Sequence, residues 1–183
     1  MYYFGILIVV ALLGVGSFLL ITGQKSQPSQ EMNMQMEKHD SHAKVTNDKT
    51  FLEDMIPHHE EAVTDSEALL KLDVSPETKT LAEGIITAQK KEIADMKRWY
   101  KDWFGKEYKE TGTYMPMMSK VDKEDVKAAE KKYLAEMIMH HEMAVQTAKA
   151  ILPITKKAEI KKLSSNIISS QNKEIETMKH LLQ

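Results

Sequence analysis

The sequence of 183 residues contains no cysteine, so disulfides are excluded and cysteine pairing cannot indicate the redox compartment. It also lacks an excess of charge of either sign, because 25 basic and 27 acidic residues leave a formal net charge of −2. Without a broad basic surface, nucleic acid is not an expected partner. A third absence is local: no Lys or Arg precedes Lys25.

The segment before Lys25 is a long apolar run instead. Residues Tyr2 to Ile21 are uncharged, and at about 1.5 Å rise per residue they can span a hydrocarbon layer of about 30 Å. A cleaved signal peptide would begin with basic residues and end in a small-x-small site, whereas Leu19, Leu20 and Ile21 are bulky. We therefore predict an uncleaved, single-pass membrane anchor over residues 1–22. Export of a cleaved protein is the alternative.

Residues 23–46 are polar, include Pro28 and show no apolar periodicity, which is typical of a flexible tether. From residue 47 onward the chain is duplicated. A shift of 82 residues aligns residues 51–101 with residues 133–183 without a gap, and 21 of the 51 positions are identical. We predict one domain over residues 47–183, with repeats over about 47–104 and about 121–183.

Each repeat contains two amphipathic helical patterns. In the first, apolar residues recur at i, i+3, i+4 and i+7 from Phe51 to Leu70 and again from Leu81 to Trp103. Ser75 is the expected N-cap of the second helix, and Pro76 its first residue. Two αα-hairpins of about 25-residue helices can bury their apolar faces only against each other. The predicted fold is therefore an all-α four-helix bundle made of two duplicated hairpins.

The repeats differ in detail. In the second, Pro153 marks the turn, and Asp122 is the expected N-cap of the first helix. In the first, Pro57 lacks a backbone N–H and is expected to kink the helix just before His58. The second copy has Met139 at that position.

Polar side chains occupy the predicted core faces. At 100° per residue, His58 and His59 flank Met55 on the inward side of the first helix. Glu92 and Met96 lie inward on the second helix, and so does Gln89. The second repeat carries the same set: Met137, His140, His141, Gln171, Glu174 and Met178.

The position of the turn within each hairpin determines at which level along the bundle axis these groups lie. If the hairpin reverses near Val74, His59 stands beside Gln89, with Glu92 and Met96 one and two turns further along. With the first and third helices parallel, both repeats would place their groups at one level of the core. So many buried polar groups would cost several kcal/mol if they were left unpaired, and a bound metal ion would pair them.

The types of ligand indicate which metal is expected. Iron and manganese sites in helical bundles are rich in carboxylates, whereas here each hairpin has one inward Glu and methionine stands where another would be. Thioether and imidazole donors together suit copper, above all Cu(I). We predict a copper site, with iron as the alternative, whose ligands are Met55, Met96, Met137, Met178 and the four histidines His58, His59, His140 and His141. Glu92 and Glu174 are either ligands or groups that fix the imidazole tautomers.

Two further stretches offer the same donors. The tether carries Met32, Met34 and Met36 followed by His39 and His42, and the loop between the hairpins carries Met115, Met117 and Met118. We regard these residues as auxiliary metal ligands. The alternatives are ordinary linker composition for the tether and a hydrophobic plug over the bundle end for the loop. Methionines on the helix stripes are also common core filler.

Localisation depends on two opposing observations. Lys25, Lys38, Lys44 and Lys49 follow the apolar run, and the positive-inside rule would keep that side cytoplasmic. Outside the cytoplasm a thiolate is prone to oxidation, so a copper protein there would use Met and His in place of Cys. We predict that the domain is extracytoplasmic.

These residues carry a family resemblance. The chain resembles the bacterial family called domain of unknown function 305. The resemblance lies in the stretch Met55-Ile-Pro-His-His59 and in the residues that follow it: Ala62, Leu81, Ile85, Gln89, Glu92, Met96 and Trp99. Members of that family are similar to ferritin-like four-helix bundles, are often exported, and include copper-binding proteins linked to copper resistance. The resemblance implies metal-site roles for Met55, His58, His59 and Met96 and for their matches Met137, His140, His141 and Met178. In the second copy, Met139 and Leu181 replace Pro57 and Trp99.

The resulting hypothesis is a membrane-anchored protein that binds copper for storage, buffering, delivery or resistance, with a copper-transport or copper-chaperone protein as a candidate partner. Binding without catalysis is the expected role. A ferritin-like metal-dependent oxidase that uses Glu92 and Glu174 as true ligands is the first alternative. A structural helical module without metal, whose polar core sets the register, is the second.

Overall fold

Four helices make up the regular structure of the part of the chain that the structure describes. The computed structural model describes residues 45–121, 123 and 125–183. In those residues the helices are α1 (Asp48–Leu69), α2 (Pro76–Phe104), α3 (Val126–Ile151) and α4 (Ala158–Leu181). The prediction of an all-α domain with four helices is confirmed. The predicted anchor and tether, including Met32, Met34, Met36, His39 and His42, lie outside the described residues.

Side-chain caps set the start of three helices. Asn47 Oδ1 accepts hydrogen bonds from the backbone N–H groups of Lys49 and Thr50, and Thr50 Oγ1 accepts one from Asn47 in return. Ser75 caps α2 and Pro76 is its first residue, as predicted. Asp125 caps α3 by accepting a hydrogen bond from the N–H of Ala128 at 3.0 Å.

The prediction that Asp122 caps α3 was wrong, since the helix begins at Val126. Asp122 and Asp125 both offer a carboxylate, but Asp125 directly precedes Val126, which packs against the core, and lies one turn before the buried Ala129. The core contacts therefore select the later cap. Pro153 lies in the connection between α3 and α4, as predicted. Pro57 lies buried inside α1, which continues through it as one helix.

The two hairpins pack with α1 against α3 and, less extensively, α2 against α4. Contacts between α1 and α3 run in opposite directions along the two helices. His58 stacks on His140, whereas Ser66, further along α1, meets Tyr133, which comes earlier on α3. Helices α1 and α3 are therefore antiparallel, and the prediction that they are parallel was wrong. Each hairpin buries its stripe equally well in either direction, so the sequence pattern did not distinguish the two arrangements.

Antiparallel packing divides the core into two clusters. In one, Phe51 and Met55 of α1, with Met96 of α2, pack against Ala148 and Ile160 of the second hairpin. In the other, Ala62, Leu69 and Ile85 of the first hairpin pack against Met137 and Met178 of the second hairpin. The turn of each hairpin thus covers the open end of the other. Since no further helix in the described residues covers these faces, the hairpins stabilise each other by mutual burial.

A buried hydrogen bond fixes the register between α1 and α3. Ser66 Oγ and Tyr133 Oη lie 2.6 Å apart, and Ser66 is 0% exposed. We expect Y133F to lower the free energy of unfolding by about 1 kcal/mol, because the Ser66 hydroxyl loses its partner. Urea denaturation of the full-length protein measures this. The double variant S66A/Y133F should lose less stability than the sum of the losses in S66A and Y133F. If its loss equals that sum, the hydrogen bond does not couple the two helices.

None of the four helices in the described residues is long and apolar enough to cross a bilayer. The apolar run Tyr2 to Ile21 lies outside those residues, so the membrane anchor stays a prediction.

Candidate metal centre

Two histidines from different hairpins meet at the centre of the bundle. The imidazole rings of His58 on α1 and His140 on α3 have centroids 3.7 Å apart and are inclined by 35°. His140 is 0% exposed and His58 is 3% exposed. In the sequence duplication these positions are equivalents of each other, so the antiparallel hairpins bring matching residues face to face.

The neighbouring histidine of each hairpin is held by a glutamate on the helix that follows. His59 Nε2 lies 2.9 Å from Glu92 Oε2, and His141 Nε2 lies 2.7 Å from Glu174 Oε2. Both imidazoles are fully buried, whereas Glu92 and Glu174 are 18% and 22% exposed. The structure therefore joins these two pairs of predicted site residues in equivalent geometry.

The level predicted for His59 was one turn wrong, because His59 bonds to Glu92 and not to Gln89. The reversal was placed at Val74, whereas the pairing of His59 with Glu92 centres it between residues 75 and 76, later in the chain. This shift brings Glu92 beside His59. Gln89 and Gln171 are nonetheless buried, at 2% and 3% exposure.

The glutamates determine which ring nitrogen is available. A neutral imidazole that donates from Nε2 carries its lone pair on Nδ1. The Nδ1 atoms of His59 and His141 are buried and have no hydrogen-bond partner among the described residues. Glutamates that orient histidine ligands in this way are a recurring feature of metal sites. The arrangement fits the reading in which Glu92 and Glu174 fix the tautomers.

Methionines flank the histidines along the bundle. On α1, Met55 precedes His59 by one turn, and on α2, Met96 follows Glu92 by one turn, so both thioethers belong to the turns that adjoin the His59–Glu92 pair. Met137 and Met178 stand in the same relation to His141 and Glu174. All four methionines are 0% exposed.

The two methionine pairs lie on opposite sides of the stacked histidines. Met55 belongs to one core cluster and Met137 to the other. On α1, Ala62 packs in the same cluster as Met137, and at about 1.5 Å rise per residue it stands about 10 Å along the axis from Met55. The prediction of one common level was right for the stacked histidines His58 and His140 and wrong for the methionines. The donor sets therefore form two groups around a shared histidine centre.

Glu61 is a site residue that sequence reasoning missed. Its Oε2 atom lies 3.3 Å from His140 Nε2 and also accepts a hydrogen bond from the phenol of Tyr114. Its Oε1 atom accepts hydrogen bonds from the backbone N–H groups of Met117 and Met118 at 2.8 and 2.9 Å. Glu61 follows His58 by three residues on the same helix face, which was the available signal. The second repeat has Met143 at the equivalent position.

The loop between the hairpins covers the α1–α3 side of the centre. Glu136 on α3 accepts hydrogen bonds from both the backbone N–H and the hydroxyl of Ser119. Together with Glu61, it fastens residues 114–119 across these two helices. Met117 is 6% exposed, whereas Met115 is 51% exposed. The buried Met117 favours a packing role for that residue, and the exposed Met115 remains available as an auxiliary donor.

Electrostatics at the centre follow from burial. Desolvation lowers the pKa of His140 to about 4, although Glu61 opposes that shift, so this imidazole is neutral at pH 7. Burial would raise the pKa of the Glu61 carboxyl, but hydrogen bonds from His140, Tyr114 and the backbone of Met118 hold it below its ordinary value. A neutral imidazole is the form that binds metal ions.

Asp65 provides a pH-dependent prediction. Burial, with repulsion from Glu61 and Glu136, raises its pKa from 3.8 to about 6. Because the folded protein binds this proton more tightly than the unfolded chain does, protonation of Asp65 stabilises the fold. This stabilisation is fully present below pH 3.8 and is lost as the pH rises through about 6. We therefore expect D65N to be more stable than the parent protein at pH 7, by on the order of 1 kcal/mol after allowing for solvent screening. Urea midpoints measured from pH 3.5 to 8 should show this gain disappearing in acid. The exposed Asp73 supplies the control D73N, and equal gains in both variants would contradict the assignment.

In the described part of the chain, no three or more His, Asp or Glu side chains come close enough together to hold a metal ion by themselves. Thioether sulfurs are further metal-binding atoms buried beside these groups. The methionine pairs beside His59 and His141 are placed to supply them.

Comparison with known proteins agrees with this architecture. Residues 48–182 match the family described as Domain of unknown function (DUF305). The chain belongs to the DUF305 family. The resemblance noted in the sequence is confirmed, and the match covers all four helices of the bundle.

Solved structures of related proteins have the same fold. CopM in its Cu(II)-bound form is 35% identical, with a TM-score of 0.66, over 75% of this chain and 96% of that one. CopM in its Cu(I)-bound form is also 35% identical, with a TM-score of 0.65, over 74% of this chain and 94% of that one. A DUF305 protein from Streptomyces coelicolor is 26% identical, with a TM-score of 0.63, over 75% and 93%.

A shorter match concerns an uncharacterised protein of Acanthamoeba polyphaga mimivirus, which is 45% identical over 53 residues. That stretch covers 29% of this chain and 35% of the viral protein. The chain therefore spans about a third of that relative, and we draw no functional conclusion from this match.

Proposed function

We propose that this DUF305 protein is a membrane-anchored, extracytoplasmic copper-binding protein that stores, buffers or delivers Cu(I). The observation that carries the proposal is the arrangement of each hairpin's donors. A buried imidazole is oriented by a glutamate at Nε2, and methionines occupy the adjoining turns of both helices. Imidazole and thioether donors favour Cu(I) over the hard divalent ions that carboxylates prefer.

The relatives support copper as the metal. CopM has been solved in Cu(I)-bound, Cu(II)-bound and Ag-bound forms, and more than nine-tenths of its chain aligns with this one. Burial of all four histidines and all four methionines favours retention of an ion over rapid turnover of a substrate. A copper-transport or copper-chaperone protein is the proposed source or recipient of the ion.

A competition titration tests this function. The full-length protein is purified in mild detergent with the tether donors removed as M32L, M34L, M36L, H39Q and H42Q, a background that we call tether-silent. It is titrated anaerobically with Cu(I) in the presence of a chromogenic Cu(I) chelator. We expect the protein to compete with the chelator. Weak copper binding combined with tight Fe(II) binding and oxygen consumption would instead favour the oxidase.

Topology needs a separate measurement, because the lysines after the apolar run oppose the proposed orientation. A single cysteine introduced into the tether of this cysteine-free chain can be labelled on intact cells with a membrane-impermeant maleimide. Labelling without cell lysis is expected, whereas labelling only after lysis would place the domain in the cytoplasm.

A further inference from the structure

A cleft opens on the side of the bundle away from the α1–α3 contact. It has a volume of about 480 Å³ and lies between α2 and α4, the helices that pack less extensively. Its lining includes Ala88, Glu92 and Trp99 from α2 and Leu163 and Asn166 from α4. Because one water molecule occupies about 30 Å³ of liquid, the cleft has room for a hydrated ion.

Glu92 connects this cleft to the buried centre. Its carboxylate lines the cleft and is 18% exposed, while the same carboxylate accepts the hydrogen bond from His59 Nε2 at 2.9 Å. The His59 side chain itself is 0% exposed. One carboxylate therefore separates the cleft from a buried imidazole.

Nearby basic side chains are held by another acid. Lys91 Nζ lies 2.8 Å from one carboxylate oxygen of Asp95, and an Arg98 guanidinium nitrogen lies 2.7 Å from the other. All three residues line the cleft. Asp95 thus pairs with the two cations that α2 contributes to the lining, while Lys162 and Glu159 of α4 contribute one charge of each sign. Glu92 therefore stays outside the ion pairs of α2 and is suited to attract a metal cation.

The opposite face is covered. Residues 114–119 lie over α1 and α3, fastened by the hydrogen bonds to Glu61 and Glu136 described above. An ion arriving on that side would have to displace this loop and break those bonds. The α2–α4 cleft offers a route to His59 without such a rearrangement.

We propose that the metal ion reaches and leaves the buried centre through the α2–α4 cleft, with Glu92 as the carboxylate that first receives it. This inference rests on the proposed copper-binding function and adds the route to it. A carboxylate is a weak ligand for Cu(I), whereas imidazole and thioether are stronger, so the ion would pass from Glu92 toward donors of increasing affinity. Glu92 would then act during transfer and orient His59 in the loaded state.

Plugging the cleft tests the route. Ala88 is exposed on its rim, so A88W should narrow the cleft without altering the core. For the ion at the His59 pair, we expect both loading of Cu(I) from the chromogenic chelator and release to excess chelator to slow about tenfold, with the dissociation constant unchanged, since a blocked route raises the barrier in both directions. Stopped-flow absorbance of the tether-silent, full-length protein measures both rates. N166W, which reaches into the cleft from α4, should reproduce the effect.

The duplication supplies a matched control. Ser170 is the repeat equivalent of Ala88 and is likewise exposed, so S170W adds the same bulk to α4 outside the cleft lining. In S170W, the ion at the His59 pair should load and leave at the parental rates. Unchanged rates in A88W and N166W, slowing by S170W alone, or weaker affinity with unchanged loading would each overturn the route. Failure of the unsubstituted protein to bind Cu(I) would refute the proposed function itself, which is a distinguishable result.

Discussion

Replacing all four core histidines with glutamine, as H58Q, H59Q, H140Q and H141Q in the tether-silent background, is expected to weaken Cu(I) binding by at least about a hundredfold. Glutamine approximates the length of histidine and retains an N–H that can donate to Glu92 or Glu174. It lacks an imidazole nitrogen with a lone pair, so the loss should come from the ligand and not from the glutamate contacts. The measurement is the anaerobic competition titration with the chromogenic chelator.

His180 provides the control for this variant, because it is exposed near the end of α4. H180Q should bind Cu(I) like the parent. Circular dichroism and the urea midpoint show whether the fourfold variant remains folded, since it changes four buried positions. A folded fourfold variant with parental affinity would refute the core site and favour the structural module whose polar core only sets the register.

The antiparallel arrangement makes a second strong prediction, which concerns stoichiometry. Because the Met55–Met96 pair and the Met137–Met178 pair lie in different core clusters, the bundle should hold about two Cu(I) ions, one at each pair. We expect M55L/M96L and M137L/M178L each to remove about one ion while leaving the other bound with parental affinity. Leucine conserves volume, so each substitution should cost less than about 1.5 kcal/mol of stability. Titration of the two double variants and of the fourfold methionine variant measures the effect.

Two outcomes would contradict this prediction, and each would indicate a different role for the methionines. Loss of all binding in either double variant would indicate one ion shared by both donor groups. Unchanged binding in both would show that the four methionines serve as core filler, which is the common role of buried methionine. M118L, at the half-buried Met118 of the loop, controls for the loss of a thioether elsewhere.

Much of the fold could be predicted from local patterns. The i, i+3, i+4, i+7 recurrence of apolar residues identified the helices, and Ser75-Pro76 identified the start of α2, because these signals act within one or two turns. The cap of α3 was predicted at Asp122 and lies at Asp125, because an aspartate can cap a helix at either position. The contacts of Val126 and Ala129 with the core decided between them.

The candidate site was predicted in part. His59 and Glu92 were both assigned to inward faces, and the structure joins them at 2.9 Å. The error of one turn, which placed Gln89 there, came from the unknown shape of the connection at residues 70–75. Glu61 was missed because its role depends on Tyr114 and the backbone of Met117, which are distant in sequence and reach it only after the loop folds over α1.

The sequence by itself determined the residue types of the site and their duplication, because side-chain chemistry and helical periodicity are local properties that the order of residues specifies. It also determined that each hairpin needs a partner, since an apolar stripe must be buried. Only the tertiary structure decided how the hairpins meet. Both directions of packing bury similar apolar faces, and the choice depends on complementary contacts such as Ser66 with Tyr133 and His58 with His140. Those contacts turn two copies of one motif into two donor groups on either side of a shared pair of histidines.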